Sequence, residues 1–196
     1  MAKKLILVAG PPACGKTFVS ELIAKNIKDA VYLDKDDLGD LLRQACVLNK
    51  EPLDYDGKFY QNKLRTVEYE TILCISLSAL RFNDTVILNA PFLKEVRDFE
   101  YMQNLKEKVN LMGAELFLIW VVASEKIIYE RMRKRNSSRD KLKLDNWSEY
   151  VKSIDFSSPK MLLEKKLVDS FFVFYAEQEQ TVASNLKEVI KLIIEQ

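Results

Sequence analysis

Gly10-Pro11-Pro12-Ala13-Cys14-Gly15-Lys16-Thr17 satisfies G-x-x-x-x-G-K-[ST] at every fixed position. Each fixed residue type has a physical task. The two glycines leave the backbone unhindered, so that successive N–H groups can point at phosphate oxygens. Lys16 carries a cation to β- and γ-phosphates, and the Thr17 hydroxyl can ligand Mg²⁺. The run Gly10 to Phe18 is therefore the expected ATP-binding segment, with Pro11, Pro12, Ala13 and Cys14 between its glycines. Cys14 is the plainest kind of spacer, although a thiol at a helix start can also ionise more readily. The second reactive group is the acidic cluster Asp34-Lys-Asp36-Asp37. The chain has no histidine, so triad chemistry, His-ligated zinc and an imidazole base are all excluded. Proton transfer must then rest on carboxylates, Lys, Tyr or Cys, and one of the three aspartates can meet a substrate hydroxyl. The plain alternative is that Asp36 or Asp37 caps a helix.

Two further stretches belong to this chemistry. Asn89 ends an apolar run and is a candidate contact to the substrate. An amide can orient a hydroxyl but cannot balance the charge of Mg²⁺, so the metal would lean on Thr17, Asp34, phosphates and water. Lys126 to Lys143 holds eight basic residues in eighteen. Arg131 and Arg135 lie one helical turn apart and Arg139 follows, so these arginines can close over a phosphoryl group as negative charge shifts. A solvated basic helix face is the alternative. No interleaved aromatics support single-strand stacking, so stable nucleic-acid binding is not expected.

The elements that must position these groups can be read from the apolar pattern. Leu5–Ala9 is uninterrupted, as in a parallel strand buried on both faces, and helical spacing resumes after Lys16. Strands are expected at Val31–Leu33, Thr85–Asn89, Leu116–Val122 and Phe171–Tyr175. Helices are expected from Leu38 to about Leu48, Gln61 to Phe82, Leu93 to about Met112 and Ile127 to about Arg135, with an amphipathic helix at the end. Trp147–Ser153 and Lys160–Leu167 are short helical candidates, and Asn136 to Leu144 reads as a mobile, polar and basic surface segment. The fold class expected is α/β, with a five-stranded, mainly parallel sheet, helices on both faces and a basic lid at about 124–147. Ligands in such folds bind beyond the carboxyl ends of the strands, where the loops after Ala9, Leu33, Asn89 and Val122 converge.

Composition bounds the rest. The 196 residues, 48% of them hydrophobic, are enough for one domain with a large core, and no linker divides residues 1–196. A net charge of +1 gives no general field for nucleic acid or an anionic membrane. Cys14, Cys46 and Cys74 are odd in number and lack metal-ligand spacing, which points to a reducing compartment and hence the cytoplasm. Lys3 and Lys4 precede an apolar run too short for a signal peptide, and no stretch reaches the ~20 residues of a membrane span.

With the phosphate loop and Asp36-Asp37 in hand, residues 5 to about 150 resemble the P-loop kinases related to the 5′-kinase of polynucleotide kinase, chloramphenicol phosphotransferase and zeta-type toxins, often described as AAA-domain ATP-binding proteins. The resemblance implies a P-loop NTPase fold and Mg²⁺-ATP-dependent transfer to a hydroxyl of a small molecule or nucleotide. The family's Asp-Asp-x-Arg-like element reads Asp36-Asp37-Leu38-Gly39 here. Asp36 thereby inherits the part of general base, and Asp37 that of a substrate contact. Gly39 stands where the family often has Arg, and Arg43, one turn on, is the candidate substitute for contacting substrate. Asn89 stands where relatives more often have Asp. Glu130-Arg131 through Arg139-Asp140 is similar to the family's lid, which makes Arg131 and Arg135 catalytic candidates and Arg139 a nucleotide contact. A rival from another class is an ATP-binding switch or assembly module without an acceptor, which needs no acidic cluster. A guanine-specific protein is disfavoured because Asn49-Lys-Glu-Pro52 lacks the Asp of the guanine-reading motif.

Overall fold

In the computed structural model, which describes residues 2–195, five strands form one parallel sheet in the order β2-β3-β1-β4-β5. They are β1 (Lys3–Ala9), β2 (Val31–Asp34), β3 (Thr85–Asn89), β4 (Ala114–Val122) and β5 (Ser170–Tyr175). The unbroken apolar run of β1 reflects cover on both faces. Leu5, Leu7 and Ala9 join one core with Leu88, Leu118 and Trp120, while Ile6 and Val8 join the other with Ile87, Ile119 and Val121. The first core is covered by α3 (Arg65–Leu80) and α4 (Phe99–Leu111), the second by α1 (Lys16–Asn26), α5 (Glu125–Arg135) and α9 (Glu179–Glu195). Short helices α2 (Gly39–Leu48), α6 (Ser138–Asp145), α7 (Trp147–Ser153) and α8 (Met161–Glu164) complete the chain. Five parallel strands with helices on both faces make the P-loop NTPase arrangement expected from the sequence. No helix among the described residues is long and apolar enough to cross a membrane.

Three departures from the sequence reading bear on the site. The helix expected from Gln61 starts at Lys58 and passes through a widened π-turn, Tyr60–Leu64, which runs directly into α3. The helix expected from Leu93 starts at Phe99, because the Asp98 carboxylate accepts the Tyr101 N–H at 3.1 Å and caps it there. Residues 95–97 form a separate 3₁₀ turn. Asn136–Leu144 is largely helical rather than irregular. Asn136 takes the left-handed conformation (φ 48°) that ends α5, and Asp140 lies in the first turn of the α6 that follows.

Arg97 ties the start of α4 to the segment after α7, with Nε 2.9 Å from Asp155 Oδ2 and further bonds to the carbonyls of Asp155 and Ser157. Hydrogen bonds from Ser157 and Arg97 hold the Asp155 carboxyl down at about 2. A depressed folded-state value adds stability at neutral pH that is lost as pH falls from about 4 through 2. Arg97→Met is therefore expected to flatten this limb of a Tm-against-pH curve, and a limb identical to the parent's would exclude the contact as a contributor.

Candidate active site

Gly10 follows β1 with φ +147°, and a Cβ there would lie 2.4 Å from the Val121 carbonyl oxygen. Only glycine lets the loop pass this close to β4. Gly15 (φ +109°) turns the chain into α1, and Ala13 (φ 61°) also takes a left-handed conformation. The Lys16 amino group donates to the Pro11 carbonyl at 2.8 Å, folding the side chain back over its own loop. Enclosure lowers its pKa, against the opposing pull of Cys14, Asp36 and Asp34. The Cys14 thiol is pushed up by burial, more than Lys16 and the loop N–H groups pull it down. It packs in the core and is not poised as a thiolate.

Sheet register builds the acidic centre. Asp34 ends β2 directly opposite Asn89 at the end of β3, and Asn89 also pairs with Val8 of β1. The Asn89 amide donates to Asp34 Oδ2 at 2.6 Å and to Thr17 Oγ1 at 3.0 Å, joining three strands' worth of loops. Tyr32 OH donates to the same Asp34 oxygen at 2.9 Å, while Oδ1 accepts the Asp36 N–H and caps the turn that follows. Capping in this cluster is thus the work of Asp34, which leaves the Asp36 side chain to face the cavity. Asn89 Oδ1 is buried with no partner. Thr17, Asp34 and Asn89 therefore offer hydroxyl, carboxylate and amide oxygens in one place, a donor set that suits a hard divalent cation carrying water and phosphate.

These groups line a cavity of about 810 Å³ beyond the carboxyl ends of the strands. Pro12, Ala13, Gly15, Lys16, Thr17 and Phe18 form its loop side, whereas Gly10, Pro11 and Cys14 lie behind the loop surface. Asp37 is exposed and does not line the cavity. Arg43 is also outside it, with its guanidinium 3.6 Å from Asp40 on the same exposed helix face.

The lid arginines divide into three roles. Arg131 lines the cavity and donates to the Cys14 carbonyl at 2.6 Å and to the Ala176 carbonyl just after β5, so it braces the phosphate loop. Arg135 makes a paired bond with Asp140, at 2.8 and 2.7 Å, that ties α5 to α6. Only Arg139 crosses the cavity, reaching Asp36 Oδ2 at 3.1 Å. Lys143 reaches Asp56 at 2.8 Å and closes the same side. Trp147 packs between Tyr129 and Tyr150.

Several site residues escape sequence reading. Lys35 is buried, with its amino group 2.8 Å from Glu68 Oε1 and 3.3 Å from Asp36 Oδ1. Tyr60 OH donates to the other Glu68 oxygen. Burial pushes the Asp36 carboxyl upward, but Lys35 and Arg139 outweigh it and hold the group below the usual range. A signal for Glu68 did exist: Leu64, Glu68 and Ile72 recur every four residues, which puts a carboxylate on the buried stripe of α3.

A model of the AAA domain matches residues 5–156. The chain belongs to this AAA-domain family of P-loop kinase fold. Among curated proteins no sequence match is found. Solved structures of similar fold include a presumed kinase from Chloroflexus aurantiacus j-10-fl, 17% identical, with a TM-score of 0.63 over 100% of this chain and 98% of that one. A sugar kinase from Janibacter sp. HTCC2649 is 15% identical, with a TM-score of 0.55 over 96% and 95%. Shikimate kinase from Bacteroides thetaiotaomicron is 14% identical, with a TM-score of 0.52 over 100% of both chains. The family match stops before β5, yet the Ala176 carbonyl that anchors Arg131 follows β5. Residues beyond the family segment therefore help to fix the phosphate loop.

Proposed function

We propose that this AAA-domain protein is a Mg²⁺-ATP-dependent phosphotransferase acting on a hydroxyl of a small molecule or nucleotide. The observation that carries the reading is that Lys16, Thr17, Asp34, Asp36 and Asn89 meet at one cavity large enough for two ligands. The sugar kinase and shikimate kinase lend support for the reaction class and not for their acceptors.

Lys16 leaves the Pro11 carbonyl for the β- and γ-phosphates, and Arg139 leaves Asp36 for the same charge. Asp36, freed of that partner but still beside Lys35, orients the acceptor hydroxyl and takes its proton as the oxygen bonds to the γ-phosphorus. The bond from that phosphorus to the β,γ-bridging oxygen breaks, and the electron pair leaves on ADP. Thr17 and Asp34, with the Asn89 amide oxygen, are the groups that would hold magnesium or its waters. When bound, the ion supplies charge neutralisation at the phosphates. Arg131 and Arg135 also line the cavity, and through their bonds to the Cys14 carbonyl and to Asp140 they fix the loop and the lid beside the transferring group.

Phosphorus NMR of the protein with Mg²⁺-ATP and pooled metabolites tests the reading. A new phosphoester signal is expected, while slow ADP formation alone would favour the switch module. The metal assignment has its own test. Asn89→Asp sets a second carboxylate where a 2.6 Å bond to Asp34 now stands. The Tm is expected to fall by about 3–10 °C without metal and to recover with millimolar Mg²⁺. A fall that Mg²⁺ does not reverse would remove this trio as the metal site.

A further inference from the structure

The wall of the cavity formed by α3 and the loop after β3 carries charged and aromatic groups that phosphoryl transfer itself does not use. The widened turn Tyr60–Leu64 sets Tyr60, Gln61 and Arg65 on one side, and all three line the cavity. Such turns inside helices frequently occur at functional sites. The loop after β3 brings Lys94 and Glu95 against them, with Lys94 Nζ 3.4 Å from Gln61 Oε1 and Arg65 2.6 Å from Glu95 Oε1.

Arg65 is held in a fixed pose. Its guanidinium lies 4.5 Å from the centre of the Tyr69 ring, and the Glu95 side chain that holds it is almost fully buried. A guanidinium offers five N–H donors, and the Glu95 contact engages one of its nitrogens. Burying such a pair contributes little to stability, because desolvation offsets the attraction. Its physical advantage is a planar, preorganised donor set at the edge of a cavity. Lys94 is exposed and has no carboxylate partner among the described residues. Arg65, Lys94 and Glu95 together leave this wall one positive charge in excess. Lys35 adds nothing to that excess, since Glu68 balances it.

The amide capacity of this wall is already engaged. Gln61 Nε2 donates to the Tyr55 carbonyl at 2.7 Å, and its oxygen faces Lys94. Besides the Tyr55 hydroxyl the remaining donors are cationic, and the surface beside them is the rings of Tyr55, Tyr60 and Tyr69 with Leu93.

We propose that Arg65 and Lys94 form the acceptor's anion subsite, so that the acceptor is a hydroxy compound carrying a carboxylate or phosphate group on an apolar or cyclic body. This rests on the phosphotransferase reading for the word acceptor, but the binding chemistry stands apart from turnover. Fixing the anion on a rigid guanidinium leaves the body against the tyrosines and the hydroxyl free to reach Asp36, which converts binding energy into orientation.

The test uses benzoate and phenyl phosphate as anionic probes and benzyl alcohol as the neutral one. NMR of arginine Nε–Hε signals is recorded on protein whose phosphate loop is silenced by Lys16→Ala, with the Arg65 signal assigned by its loss in Arg65→Gln. A saturable shift of that signal is expected with one or both anions and not with the alcohol, and which anion binds more tightly separates carboxylate from phosphate. Lys94→Ala, at an exposed position, is expected to weaken the binding at least about tenfold. Because Arg65→Gln leaves Glu95 buried without its cation, Arg65→Gln/Glu95→Gln serves as the second assignment control. No Arg65 shift with either anion, an equal shift with the alcohol, or affinity unchanged in Lys94→Ala would overturn the subsite. In the metabolite experiment, phosphoesters formed only on neutral compounds would overturn it while leaving the kinase reading intact. Absence of any phosphoester would count against the kinase and leave the binding result to stand alone.

Discussion

Lys16→Ala is expected to lower the rate of phosphoester formation by about 10³-fold or more, the scale seen when a preorganised charge is removed from a phosphoryl-transfer site. The transition state is loose, so the protein's main task is to stabilise charge spread over the phosphate oxygens. In the proposed mechanism Lys16 is the loop's cation for that task. Without ligand its one hydrogen bond goes to the Pro11 carbonyl, so its removal is expected to leave Tm nearly unchanged. Lys16→Arg is not expected to rescue the rate, because a planar fork cannot replace a compact ammonium within this loop. Phosphorus NMR rates together with thermal melts check both halves. A variant within tenfold of the parent rate would remove the loop lysine from catalysis.

Asp36→Asn should cost less, on the order of 10²-fold in kcat, because general-base assistance is the smaller contribution in a loose transition state. Nucleotide binding is expected to respond differently. The carboxylate pairs with Arg139 at 3.1 Å, and neutralising it frees that arginine for phosphate. Affinity for ATP should therefore hold or tighten while kcat falls. Calorimetric ATP binding beside turnover separates the two effects. A wild-type rate in Asp36→Asn would show that the base has been wrongly assigned, and a large loss of ATP affinity would recast Asp36 as a nucleotide ligand.

The fold was legible where local chemistry is strong. Leu5–Ala9 announces a strand buried on both faces, and Gly10, Gly15, Lys16 and Thr17 announce the loop that follows it. The capping aspartate at 98 was equally local, but the apolar periodicity from Leu93 masked it, and the helix begins six residues later than that pattern suggests. The helix expected to end at about Arg135 does stop at Asn136, yet the chain resumes a helix two residues later because an acidic first turn suits it.

The site was legible only in its contiguous parts. Asp34, Asp36 and the phosphate loop can be found in one dimension, since each is a short run with a fixed physical task. The partners that give these residues their character are distant in sequence. Lys35 finds Glu68 33 residues on, Asn89 finds Thr17 at a separation of 72, and Arg131 finds the Cys14 carbonyl at 117. Sequence alone determined a βα phosphate-binding unit, a carboxylate after the second strand and the absence of imidazole chemistry, because residue type and spacing fix those locally. Only the tertiary structure decided that Asn89 bridges Thr17 and Asp34, that Arg131 and Arg135 brace loop and lid while Arg139 faces Asp36, and that Arg65 and Lys94 line the same cavity. Parallel register and helix packing set those distances, and neither is encoded within any single segment.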